Sequence, residues 1–179
     1  MLKSNFLLAL LLSLSTFVSA QTFTLMSGDV GGQATKVQEA NTFGCDGENV
    51  SPQLSWENAP AGTKSYAITM YDPDAPTGSG FWHWVAFDLP ADVTELAAGA
   101  GSKGGKMPKG SIQSVTSYGA PGYGGPCPPE GHGIHQYVIT VHALKTDKLG
   151  LDANTNPAIV GFYLWQNTIE KASVVMYYS

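Results

Sequence analysis

The stretch that most limits what this chain can fold into is Tyr71–Trp84, which reads YDPDAPTGSGFWHW. A strand is expected to enter it from Ser65, because Tyr66, Ile68 and Met70 alternate with Ala67 and Thr69. Asp72-Pro73-Asp74-Ala75-Pro76 stops that strand. Each proline fixes its own φ and moves the preceding residue out of the helical region, so both aspartates are held in extended or turn geometry. Thr77–Gly80 is a short reversal, and Phe81–Asp88 returns as a second strand. A carboxylate at the end of one strand is thereby brought near an imidazole, His83, at the start of the next. On this stretch alone two readings stand side by side. The corner builds a site, or it is a solvated turn whose aspartates cap backbone N–H groups.

The N-terminus carries an address. Lys3 supplies a positive n-region, Phe6–Leu12 an apolar h-region and Val18-Ser19-Ala20 a small-residue cleavage site, so residues 1–20 read as a secretory signal peptide. The remainder, residues 21–179, is of a length that suits one domain. No later apolar run approaches about 18 residues, so the mature chain is expected to be soluble, without a transmembrane segment, and periplasmic or secreted. Net charge is −5 with nine Lys plus Arg against fourteen acidic residues, and all nine cations are lysines. A chain without arginine forks or a basic face is a poor nucleic-acid binder, and any phosphate site in it lacks the bidentate arginine clamp. Cys45 and Cys127 are the two cysteines. In an exported chain an even count makes a disulfide the default, with two free buried thiols as the alternative.

Strands are also expected at Thr22–Ser27, with Phe23 and Leu25 on one face, and at Gln53–Trp56, with Leu54 and Trp56 inward. Beyond Pro90 the chain to Gly110 is rich in glycine and lysine and reads as a long surface excursion. Tyr118–Tyr137, YGAPGYGGPCPPEGHGIHQY, is too rich in glycine and proline for a helix or an interior strand and predicts a rigid irregular wall. The strand after it places His135 and Tyr137 on one face and His142 on the other, while His132, between glycines, is expected to be exposed. Asn156 as N-cap and Pro157 at N1 open one helix, whose expected buried stripe is Ala158, Phe162, Trp165 and Ile169. Ser173–Tyr178 closes the chain as a strand. Many short strands and one late helix predict a predominantly β architecture.

Asp72–Pro76, Trp82-His83-Trp84, and Gly125–Gly131 followed by His135 and Tyr137 together resemble the phosphatidylethanolamine-binding protein family. The nearest resemblance is to its bacterial Raf kinase inhibitor-like branch, which also has segments like Gly44–Pro52 and Val141–Lys145. The resemblance covers most of the mature chain. It implies a Greek-key β fold with a large central sheet, a smaller sheet and peripheral helices, including one near the C-terminus. It also implies a ligand pocket made of Asp72, His83, His135 and Tyr137, with Pro128 and Pro129 as one wall and Ala75 and Pro76 as the opposite rim. Gln136 stands where the family often carries a basic residue, which removes one positive charge.

The residue chemistry agrees with a small anion site. Two imidazoles and a phenol can donate, and Asp72 is expected to orient an imidazole and favour its protonated form. The expected partner is a small anionic ligand such as phosphate, a phosphomonoester or a phospholipid head group, with a protein target and a homodimer left open and no cofactor called for. The expected function is an exported binding protein without chemistry of its own. Two rival classes are a protease or signalling inhibitor acting through protein contact, and a metal-dependent enzyme using Asp72, His83 and His135. A nucleophilic hydrolase built on Cys127 or a serine with His135 is weaker, because no nucleophile-elbow pattern appears.

Overall fold

The computed structural model describes residues 21–179, so the expected signal peptide lies outside the described residues. Eight strands and one helix follow in the order β1 (Thr24–Met26), β2 (Leu54–Glu57), β3 (Ser65–Asp72), β4 (Phe81–Pro90), β5 (Glu95–Leu96), β6 (Ile112–Gln113), β7 (His135–Leu144), α1 (Pro157–Asn167) and β8 (Thr168–Tyr178). They form a three-stranded sheet, β1-β2-β5, and a five-stranded sheet, β6-β4-β3-β7-β8. Every pairing between these strands is antiparallel. The fold is thus mostly β with two sheets and a C-terminal helix, as the sequence pattern predicted.

The corner at Asp72 explains the large sheet. β3 is its central strand, paired with β4 on one side and β7 on the other. Its even-numbered residues Tyr66, Ile68 and Met70 face the small sheet and pack with Phe23, Leu25, Leu54 and Trp56. Ala67, on the opposite face, packs with Val85, Phe87 and Leu144 beneath Val160 and Leu164 of α1. Two apolar layers therefore cover the two faces of one sheet. This is why β3 is buried along nearly its whole length instead of alternating between core and water.

Three expectations need correction. First, α1 begins as predicted, with the Asn156 side chain accepting from the Ala158 N–H and Pro157 opening the helix. Its buried face, however, is Pro157, Val160 and Leu164. Ala158 is exposed, and Phe162 and Trp165 are 53% and 76% exposed. Ile169 is not helical at all, because α1 passes directly into β8 at Thr168. β8 is accordingly longer than the expected Ser173–Tyr178, being paired along the whole of β7 from His135 to Leu144, with one register shift between Ala143 and Leu144. Second, the Pro90–Gly110 excursion is partly structural. It delivers β5 to the small sheet and buries Leu96 and Ala100. Gly101 lies so close to Trp84 that a Cβ there would collide with the indole. Third, α1 is the one α-helix among the described residues, where the resemblance implied several.

Candidate functional site

The corner is tied down through its aspartates. Asp72, 2% exposed, accepts the Asp74 N–H on Oδ1 at 2.8 Å and faces His135 Nδ1 with Oδ2 at 2.7 Å. Asp74 in turn accepts the Gln136 N–H on Oδ2 at 2.8 Å. The aspartates thus cap backbone N–H groups, and one of them also holds an imidazole. Together they clamp the first two residues of β7 against the end of β3.

His83 belongs to the other side of the same cavity. Its ring is 3% exposed, and Nδ1 meets the carbonyl oxygens of Gly124 at 2.8 Å and Gly125 at 3.1 Å. Facing two acceptors, Nδ1 must carry the proton, so the neutral ring presents an unprotonated Nε2. Burial pushes the His83 pKa down to about 4, against the opposing pull of the Gly124 carbonyl, the Asp72 charge and the Gly125 carbonyl. The backbone reaches the ring because residues 124 and 125 are glycines. A Cβ on Gly124 would strike the Tyr118 ring, and one on Gly125 would strike the backbone at Gln38.

Tyr137 stands between the two histidines. Its ring lies edge-on to His83 at 5.0 Å between centroids and stacked with His135 at 6.3 Å. The residue is fully buried, the Cys127 backbone lies near its hydroxyl, and the hydroxyl has no partner within hydrogen-bonding distance and angle. Burial, reinforced by the Asp72 charge, raises the Tyr137 pKa, so the phenol stays protonated.

Asp72, Ala75, Pro76, His83, Pro128, Pro129, His135 and Tyr137 all line one cavity of about 970 Å³. Cys45 and Cys127 line it too and are joined as a disulfide with Cα atoms 6.0 Å apart, tying the loop after Phe43 to the proline wall. Phe81, Tyr118 and Glu39 also line it and were not singled out in the sequence. Tyr118 packs edge-on against both Phe81 and His83 and donates to the Gly125 carbonyl at 2.7 Å. The cavity's one lysine, Lys36, is paired with Glu39 at 2.8 Å and with Asp46. His132 is exposed, as expected, but its Nδ1 lies 2.7 Å from His135 Nε2. The only sequence hint of that contact was the His-x-x-His spacing.

One expectation and one rival reading of the chemistry change with this geometry. The two histidines do not both offer N–H groups to a ligand, because the His83 proton is spent on backbone carbonyls. Nor do Asp72, His83 and His135 turn three free ligand atoms toward one point, since Asp72 sits behind His135 on its Nδ1. Among the described residues, no group of three or more His, Cys, Asp or Glu side chains is arranged to hold a metal ion.

A two-sheet β fold with a cavity walled by loops at the strand ends has the build of a binding protein. The chain belongs to the phosphatidylethanolamine-binding protein family, whose sequence profile matches residues 30–179. It is 45% identical over 162 residues to the UPF0098 protein YbcL of Escherichia coli, covering 89% of this chain and 88% of that one. To the UPF0098 protein YbhB of the same organism it is 47% identical over 139 residues, covering 78% and 87%. The crystal structure of E. coli YbcL, described as a new member of the mammalian PEBP family, superposes with a TM-score of 0.85 at 44% identity, covering 88% of this chain and 98% of that one. A PEBP homologue from Chlamydia trachomatis superposes with a TM-score of 0.73 at 25% identity, covering 88% and 97%.

Proposed function

We propose that this chain is an exported binding protein whose cavity takes a small anion of the phosphate or phosphomonoester type, free or as a phospholipid head group. The observation that carries this reading is the Tyr137 hydroxyl, fully buried, without a partner and set between His83 and His135 in the cavity lining. An unpaired buried hydroxyl costs about 1–3 kcal/mol, which a ligand oxygen would recover. The family's name points to the same head-group chemistry. Export rests on the basic, apolar and small-residue pattern of residues 1–20.

The arrangement suits binding without chemistry of its own. The Asp72–His135 pair resembles the orienting half of a catalytic triad, but His135 Nε2 meets another imidazole and no serine or thiol. Both cysteines are held in the disulfide. The absence of an arginine clamp and the pairing of Lys36 with two carboxylates make weak binding the expectation, with inorganic phosphate in the high-micromolar to millimolar range, on the order of −4 to −6 kcal/mol. Calorimetry with Tyr137→Phe tests the carrying observation, because the variant keeps the ring and removes only the hydroxyl. A roughly tenfold loss is expected. Equal affinity in both proteins would remove the hydroxyl from the site.

A further inference from the structure

His132 is absent from the cavity lining, yet its ring is the second partner of the most deeply held imidazole in the site. His135 has two ring nitrogens. Nδ1 is committed to Asp72 at 2.7 Å, so Nε2 is the one edge on which a ligand can be met. That edge is 2.7 Å from His132 Nδ1, a direct hydrogen bond with no room for a ligand atom between the rings. Such a bond holds one proton between two imidazoles, and a phosphate oxygen at Nε2 takes the same position, accepting that proton if it stays on His135 or donating its own P–OH if the proton leaves with His132.

The flanks of His132 are built to let it leave. Gly131 and Gly133 have φ of +74° and +95°, and neither has any atom near the position a Cβ would take. The ring is exposed, and the backbone is held to the Pro129 carbonyl through the His132 N–H at 3.0 Å. The ring can therefore turn into solvent without disturbing the clamp that Asp72 and Asp74 place on β7.

We propose that His132 is a displaceable internal ligand of His135: it occupies Nε2 in the free protein, and a bound anion takes that position as His132 turns outward. This rests on the reading of the cavity as an anion site. The free protein is then self-capped, and its affinity for any anion is lowered by the strength of one partly exposed hydrogen bond. Removing the cap should tighten binding by about three- to tenfold.

The experiment is calorimetry of inorganic phosphate with wild type, His132→Ala and His135→Ala at neutral pH, joined to nitrogen-15 imidazole NMR of the wild type. Phosphate should bind His132→Ala more tightly than wild type and His135→Ala hardly at all. The NMR coupling across the His132–His135 hydrogen bond should be present in the free protein and vanish at saturating phosphate. Unchanged or weaker binding by His132→Ala, or a coupling that survives phosphate, overturns the displacement while leaving the anion site standing. If phosphate binds neither wild type nor His132→Ala, in which Nε2 is uncapped, the displacement and the anion reading fall together.

Discussion

The two histidines of the cavity are buried almost equally, His83 at 3% and His135 at 1% exposure, yet their walls are built on opposite principles. The His83 wall is backbone: two glycine carbonyls take the Nδ1 proton, and burial holds the ring neutral. The His135 wall is side chain: a buried carboxylate takes Nδ1 and a surface imidazole takes Nε2. Burial alone thus does not assign a role to an imidazole. What faces each nitrogen decides it: His83 offers a ligand an acceptor, and His135 offers a donor whenever its Nε2 is protonated. Tyr137, between them, can do either.

Removing the carboxylate should have the largest effect on the His135 wall. Asp72→Ala leaves His135 Nδ1 and the Asp74 N–H without partners in a buried place, and should destabilise the fold by about 3–5 kcal/mol in urea unfolding. Asp72→Asn, which keeps the shape, should cost clearly less. Equal and small losses for both would mean that the His135 wall does not depend on its carboxylate. Opening the disulfide that anchors the proline wall should come next. With the cysteines 82 positions apart in the sequence, Cys45→Ala/Cys127→Ala should lower stability by about 2–4 kcal/mol.

The His83 wall should respond to pH. Its folded pKa, near 4, lies below the ordinary 6.5, so the unfolded chain binds a proton that the folded protein refuses between those values. The stability it contributes is fully present above about pH 6.5 and is lost as pH falls toward 4, by on the order of 2–3 kcal/mol. His142, half-buried on the opposite face, is also pushed down to about 4, so the His83 share must be taken as a difference. Unfolding free energies of wild type and His83→Leu across this range should converge as pH falls. Parallel curves would show that His83 is not held neutral. The smallest effect expected is that of Tyr118→Phe. It removes one hydrogen bond to the Gly125 carbonyl and should cost about 1 kcal/mol by denaturant midpoint.

The difference between the walls also marks how far the sequence could be read. The His135 wall was legible because its parts are side chains in recognisable positions: a proline-fixed aspartate, and His135 and Tyr137 at period two on a strand. Its third member was not, since His132 reaches His135 across a turn set by left-handed glycines. The His83 wall was half legible. The histidine stood out, but its partners are carbonyls of Gly124 and Gly125, and backbone partners leave no residue-type signature. The helix misled for another reason. Its sequence carries two apolar stripes, and periodicity does not say which faces the sheet. Pro157, Val160 and Leu164 won, while Phe162 packs with Tyr163 and Trp165 on the outside.

Whether an anion sits between these two walls is tested most directly by a phosphate titration followed on the imidazole nitrogens of all four histidines. His135, His83 and His132 should shift together with a single dissociation constant, while His142, on the far face of the sheet, stays still. Silent signals at His83 and His135 up to tens of millimolar phosphate, or an equal response from His142, would contradict it.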